Sequence, residues 1–394
     1  MSCKTENLDI KYLPVNPGTA VTKITFSSET PDLVSVYEPG NSGGRRRCFV
    51  TDATVATLPV MEHFISKFED GSCGNDILII LGSGEPYKTI DSVLEIVSNA
   101  IEAGFSRKDL FVGIGGGVIC DMTGFAASLF KRGIACQFVP TTLLAMVDAS
   151  IGGKTGCDFK NYKNMIGEFW PAEEILIFPE FVKFLPECQY RSGLGEALKT
   201  GLLFDTELYD IFKNDSEKLL QADSETIFNV IKKCASDKAK VVEQDLTEKN
   251  IRMFLNLGHT FGHALETVAG LGSIAHGDAV AWGIGRAVCL CAKLEYCRES
   301  FKDEVLDILE KFGWCRDSVP SFIAGGGFNE RILEAMRKDK KNTSSKIRCT
   351  LLRGLCEPFT EEIEDSEDMN LQDILQAAMA GIVPGITLPE EGSW

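Results

Sequence analysis

Between residues 48 and 178 the chain repeats one pattern that few folds can satisfy: a short apolar run, a turn of glycine, threonine or aspartate, then helical spacing. The runs "CFVT" (48–51), "DILIILG" (76–82), "LFVGIGGG" (110–117), "CQFVPTT" (136–142) and "EILIF" (174–178) have strand length and are rich in Ile, Val and Phe. Among the intervening segments, 89–104 repeats Ile90, Val93, Ile96, Val97 and Ile101 on one helix face before Gly104 stops it. Parallel strands need helical crossovers, and a sheet covered on both faces reads as unbroken apolar runs. The expectation is an α/β fold with a largely parallel sheet.

From about Gln189 the pattern changes to long amphipathic helices such as "ETIFNVIKKCASDKAKVVEQD", with few strand candidates left except near "KIRCTLLRGLC". The domain boundary is expected in "FPEFVKFLPECQY" (178–190), giving an α/β domain over 1–185 and a mainly helical domain over 186–394. A length of 394 residues suits two or three domains. The formal net charge of −17 argues against nucleic acid or an anionic membrane as partner, and the isolated run Arg45-Arg46-Arg47 does not reverse that. The most apolar long segments, 113–130 and 279–294, contain Asp121 and Arg286 and read as buried helices rather than membrane spans. Fourteen cysteines, scattered without a C-x-x-C pair and with no secretory signal pattern at the start, fit reduced thiols in a cytoplasm.

Chemistry-bearing residues gather in glycine-rich turns after the predicted strands. "GIGGGVICD" (113–121) lets backbone N–H groups approach a diphosphate at a helix N-terminus, although Val118 stands where G-x-G-x-x-G requires its third glycine. "GSGEPYK" (82–88) ends another strand and offers Lys88 to phosphate or ribose. In "VPTTLLAMVDASIGGKTG" (139–156), Thr141 and Thr142 follow a strand, while Asp148 and Lys154 flank a Gly-Gly turn. Lys163 and Asn164 follow, and Glu196 and Lys199 lie i, i+3 on one helix face. Cations concentrated in such turns of an acidic chain point to a multiply charged anionic ligand.

Of the four histidines, three fall between 259 and 276. If 252–266 is one helix, Arg252, Asn256, His259, His263 and Glu266 follow at steps of 4, 3, 4 and 3 and form a single polar stripe. The competing reading is a helix interrupted at Gly258 with one hydrogen-bonded buried histidine. Catalytic zinc takes three N and O ligands and keeps a position open. The histidines can supply two or three, with Glu196 or Asp148 completing the set, and spacing alone does not choose.

Taken together, "GGGVICDMTGFAAS", "VPTTLLAMVDASIGGKTG", "KNMIGEFW", "GLGEALKTG", "LNLGHTFGHALE" and "HGDAVAWG" resemble the 3-dehydroquinate synthase family of sugar phosphate cyclases, in collinear order from about Gly82 to Lys341. The resemblance implies a Rossmann-like NAD domain, a helical metal- and substrate-binding domain, and an active site in the cleft between them. It also implies a homodimer, NAD and zinc (or cobalt) as cofactors, and a role in the shikimate pathway to chorismate and the aromatic amino acids. By position, Glu196, His259 and His276 match the metal ligands. Asp52, Glu85, Lys88, Gly116, Gly117 and Asp121 match positions around NAD, as do Thr141, Thr142, Asp148, Lys154, Lys163 and Asn164. Lys154, Asn164, Lys199, Lys238, Arg252, Asn256, His263 and Lys340 match positions around the substrate, and Arg132 an arginine reaching a neighbouring subunit's site. Asp148, Lys154, Lys199 and His263 are the expected catalytic residues.

The implied reaction oxidises 3-deoxy-D-arabino-heptulosonate 7-phosphate transiently with NAD, eliminates phosphate, returns the hydride and closes the ring by an aldol step. The substrate carries a carboxylate and a phosphate, which suits Arg252 and Lys238 for the first and Lys154, Asn164, Asn256, His263 and Lys340 for the second. Cys120, Tyr162 and Phe184 depart from the family pattern near NAD. Rival readings are a cyclase acting on sedoheptulose 7-phosphate or glucose 6-phosphate, a metal-dependent alcohol dehydrogenase, and a non-catalytic NAD-binding protein.

Overall fold

The parallel strands anticipated above pair in one seven-stranded sheet whose spatial order by residue is 5–11, 21–27, 174–177, 135–140, 110–115, 47–52 and 77–81. A computed structural model describes residues 4–12, 19–38, 43–160, 162–270, 272–317, 319–323, 326–338, 346–364 and 378. Strands β1 (Thr5–Lys11), β2 (Val21–Ser27), β3 (Arg47–Asp52), β4 (Ile77–Leu81), β5 (Leu110–Gly115), β6 (Ala135–Pro140), β7 (Lys154–Phe159), β8 (Tyr162–Phe169) and β9 (Glu174–Ile177) precede residue 186. β3 and β5 are buried at every residue, which is why their central residues, Cys48–Val50 and Leu110–Val112, appear in sequence as short apolar runs without alternation. The β1–β2 antiparallel hairpin joins β9 through a parallel pairing at one edge. β7 and β8 form a separate antiparallel hairpin. Neither hairpin was anticipated from the sequence.

Two helices pack on this sheet for identifiable reasons. The helix Ile90–Glu102 starts where the Thr89 side chain accepts the Ser92 N–H, and it buries Val93, Ile96 and Ala100. The helix Gly117–Leu129 lies close over β5, because a Cβ at Gly113 would come 2.9 Å from Thr123 Oγ1 and one at Gly115 only 2.6 Å from Ile119. Cys120, in its first turn, is buried, and burial pushes its thiol up.

The chain divides into two units, Met1–Pro186 with Ala222–Glu248, and Glu187–Gln221 with Lys249–Trp394. The break after Pro186 falls inside the expected stretch, but assigning all of 186–394 to the second domain needs correction. The helix Ser224–Gln244 packs on β1 and on the 3-10 helix Pro179–Phe184 of the first unit. Its Phe228 ring lies edge-on to Phe26, and Glu243 accepts the Lys11 N–H at 2.9 Å. Helical periodicity shows that a face is buried, not which partner covers it.

In the second unit, the helices Glu187–Phe204, His259–Ala269 and His276–Lys293 pack together beside a hairpin of β10 (Lys346–Leu352) and β11 (Pro358–Glu364). Glycines set the closeness: a Cβ at Gly277 would overlap the Ser192 carbonyl, and one at Gly195 the Gly277 carbonyl. Residues 252–266 do not form one helix. A 3-10 helix, Ile251–Asn256, ends before Gly258, whose φ of 78° is left-handed, and the α-helix begins at His259. Among the described residues no helix is long and apolar enough to cross a membrane, and the described cysteines are free thiols.

Candidate functional site

The second unit brings a buried carboxylate against two imidazoles. Glu196 sits midway along the helix Glu187–Phe204, whereas His259 and His276 each open their own helix. The contact of Gly195 with Gly277, reinforced by the Gly277 N–H donating to Ser192 Oγ at 2.9 Å, draws the first helix onto the start of the third. Arg191 holds Asp278 through Nε (3.1 Å) and Nη2 (2.9 Å), and Trp314 Nε1 donates to the same carboxylate. The start of the helix that His276 opens is thereby fixed beside the helix of Glu196.

Glu196 is 1% exposed. Its oxygens accept no hydrogen bond of good geometry, although the Lys199 ammonium makes an ion pair with it. His276 Nε2 lies 3.5 Å and His259 Nε2 3.7 Å from Glu196 Oε1. Both rings are held at the other nitrogen: His259 Nδ1 is 3.1 Å from the Leu257 carbonyl, and His276 Nδ1 is 3.3 Å from Glu266 Oε1. A buried carboxylate facing two such Nε2 atoms, with all ligand atoms within 4.8 Å of one another, fits a divalent ion. Zinc bonds of about 2.0–2.2 Å place neighbouring ligand atoms roughly 3.4 Å apart.

A second convergent group, His263, Glu266 and His276, shares one histidine with the first. Among the described residues neither group contains the i, i+4 pair His259 and His263 together. The ring centroid of His263 stands 5.2 Å from that of His259 and 6.0 Å from that of His276. Arg252 is fully buried on the preceding 3-10 helix, where Asn256 Nδ2 donates to the Met253 carbonyl at 2.9 Å.

In the first unit, the candidate residues collect at the carboxyl ends of β3, β4, β5 and β6, where ligands of parallel sheets bind. Asp52 ends β3 and caps the next turn, accepting from Thr54 N, Val55 N and Ser83 Oγ. Gly116 caps the helix Gly117–Leu129. Their absent side chains leave room at its N-terminus: a Cβ at Gly116 would meet Thr142 Cγ2 at 3.0 Å, and one at Gly117 the Ala149 Cβ at 3.1 Å. Thr141 follows β6 and donates its N–H to the Gly115 carbonyl.

Lys88 Nζ lies 2.6 Å from both Asp121 Oδ2 and Asn164 Oδ1. Burial opposes its charge, but Asp121, Glu85 and Asp158 outweigh it and raise the ammonium above its ordinary value. Lys163 reaches Glu85 at 3.8 Å. Lys238 contacts Asp148 through the carboxylate (2.7 Å) and the carbonyl (2.6 Å), and Lys154 pairs with Glu248.

Arg132 ends the 3-10 helix Phe130–Arg132, exposed and with left-handed backbone (φ 66°), beside a cavity of about 440 Å³ also lined by Arg107 and Trp170. Tyr162 and Phe184 are exposed. Lys340 lies outside the described residues. Sequence reasoning missed Asp158, Glu248 and the contact of Glu266 with His276. Only Glu266 carried a signal, its place on the polar stripe.

Residues 78–192 match the N-terminal domain of 3-dehydroquinate synthase, and residues 193–342 its C-terminal domain. A 3-dehydroquinate synthase from Pelobacter propionicus is 38% identical over 81% of this chain and 86% of its own length. In fold, the chain is similar to a 2-deoxy-scyllo-inosose synthase complexed with carbaglucose-6-phosphate, NAD+ and Co2+ (TM-score 0.78, 22% identity, 96% of this chain and 100% of that one). It is also similar to a 2-epi-5-epi-valiolone synthase from Streptomyces hygroscopicus with NAD+ and Zn2+ bound (TM-score 0.77, 24% identity, 94% and 98% covered). The two matched domains lie end to end along the chain, and on that ground it belongs to the 3-dehydroquinate synthase family.

Proposed function

We propose that this protein converts 3-deoxy-D-arabino-heptulosonate 7-phosphate to 3-dehydroquinate and inorganic phosphate, using NAD and a divalent metal, zinc or cobalt. The observation that carries the reading is buried Glu196 facing the Nε2 atoms of His259 and His276. The metals and NAD+ held by the two structurally similar cyclases support the choice of cofactors. Glu196, His259 and His276 would hold the ion, and NAD would lie over the first unit's strand ends, at Gly116, Gly117, Lys88 and Asp121. The ion's contribution is Lewis acidity toward the hydroxyl to be oxidised, and that of NAD is to take and return a hydride.

The chain's own groups bind and orient. Lys199 offsets part of the buried Glu196 charge and fixes that carboxylate's direction. Arg252, whose fork suits a carboxylate, and Lys238 read the substrate's acid group. Lys154, Asn164, Asn256 and His263 read the phosphate, and the His263 imidazole can pass a proton to the departing group. Lys154 and Lys238 are already held by Glu248 and Asp148, so the lysines are positioned before an anion arrives. Little general-base work is left to the protein, which agrees with a site of cations, amides and imidazoles.

The same reading makes the enzyme a cytoplasmic homodimer in which Arg132 reaches the neighbouring subunit's site. The exposed position of Arg132 and the free thiols support it. The test is a panel of heptulosonate 7-phosphate, sedoheptulose 7-phosphate and glucose 6-phosphate, each incubated with the zinc-loaded protein and NAD. Phosphate release from the first alone is expected, because Arg252 and Lys238 need a carboxylate. Release only from either of the others refutes the substrate.

A further inference from the structure

The two imidazoles that face Glu196 are anchored differently on their far sides. His259 is held by a backbone carbonyl, that of Leu257, which no side-chain substitution removes. His276 is held by a side chain, the carboxylate of Glu266, 3.3 Å from its Nδ1. Glu266 is 4% exposed and lies on the helix His259–Ala269, two turns after His259 on the same face. A carboxylate this buried is costly unless it is hydrogen-bonded. The His276 side chain, by contrast, is 32% exposed, and it follows a loop whose Gly270 and Gly272 have left-handed φ values of 96° and 79°. A ring so placed has rotamer freedom to lose, and an anchor that removes this freedom in advance favours metal capture.

We propose that Glu266 is a positioning residue of the metal site: its carboxylate accepts the His276 Nδ1–H and thereby keeps the Nε2 lone pair directed at the ion held with Glu196 and His259. The inference rests on the metal reading made above. Carboxylates behind a ligating imidazole fix its tautomer and make the ligating nitrogen more basic, and their loss typically weakens metal binding about 10–100-fold. The alternative geometry, in which His263, Glu266 and His276 are themselves a ligand set, makes Glu266 a direct ligand and predicts a different result.

The experiment measures zinc affinity by chelator competition, and the visible absorption of the cobalt-substituted protein, for wild type, Glu266→Leu and Glu266→Gln with NAD present. Leucine keeps much of the volume without an acceptor, whereas glutamine can still turn its amide oxygen to Nδ1–H. Glu266→Leu should bind one zinc per chain about 10–100-fold more weakly and show an altered cobalt spectrum. Glu266→Gln should recover most of the affinity and the wild-type spectrum. If Glu266→Leu does not fold, near-wild-type affinity in Glu266→Gln together with weakened affinity in Glu266→Asp, whose shorter side chain withdraws the acceptor, at equal melting temperature still supports positioning. Wild-type affinity and spectrum in Glu266→Leu overturn the proposal alone, as does complete metal loss in Glu266→Gln. A wild-type protein that binds neither metal overturns the underlying reading as well.

Discussion

Lys199→Met probes the buried charge pair at the base of the site. Lys199 and Glu196 lie i, i+3 on one helix, each with a side chain 1% exposed. Removing one partner of a buried pair leaves the other charge unpaired and costs about 3–5 kcal/mol. In a unit of this size each kcal/mol moves the melting temperature by about 2–4 °C, so the metal-free variant should melt about 10 °C below metal-free wild type. A divalent ion at Glu196 takes over the neutralisation that Lys199 supplied. Zinc should therefore raise the melting temperature of Lys199→Met more than that of wild type and narrow the gap. Calorimetry of chelator-treated and zinc-loaded proteins, both saturated with NAD, reads this directly. An equal gap with and without zinc would mean that the ion does not sit against Glu196. A metal-free gap below about 2 °C would mean that the pair matters little to the fold.

Other substitutions test the site and its supports. His263→Ala should retain zinc and lose activity, whereas His276→Ala should lose both; equal zinc loss, measured by metal analysis, would restore the i, i+4 pair as ligands. Gly277→Ala places a Cβ against the Ser192 carbonyl, and backbone cannot yield as a side chain tip can. It should cost about 1–3 kcal/mol in denaturant unfolding and weaken zinc binding, since Glu196 rides on the displaced helix. Burial opposes the charge of Asp109, but the N–H groups of Ser106 and Arg46 and the Arg46 guanidinium outweigh it and hold its carboxyl below the usual value. Its stabilisation is then present above the unfolded value of about 4 and fades as pH falls through the lower folded one. The gap in urea midpoint between wild type and Asp109→Asn should shrink on acidification; a gap independent of pH would contradict this.

Burial pattern decided which elements the sequence disclosed. β3 and β5 are covered on both faces, so their apolar stretches Cys48–Val50 and Leu110–Val112 run without polar alternation and the strands stand out. β1 alternates exposed and half-buried residues at the sheet edge and reads as polar coil. In the hairpin of β7 and β8, no residue of β8 is buried and Lys154 is exposed at the start of β7, so Lys154, Lys163 and Asn164 looked like loop residues when they belong to paired strands. The polar stripe through 252–266 required a continuous helix, and Gly258 ends that possibility because its left-handed backbone and its contact with the Val280 carbonyl restart the helix at His259. The candidate ligands were legible as residue types. That Glu196 rather than Asp148 meets His259 and His276 was not legible from spacing, because it depends on glycine contacts between helices distant in sequence.

The proposed reaction uses NAD without consuming it. The most direct measurement follows phosphate and NADH together in one reaction, with zinc-loaded protein, excess heptulosonate 7-phosphate and NAD no more abundant than the enzyme. Many phosphates should be released per NAD while NADH stays near its starting level. Phosphate that stops at one per NAD, or NADH that accumulates in step with substrate consumed, would contradict the proposed reaction and point to a dehydrogenase.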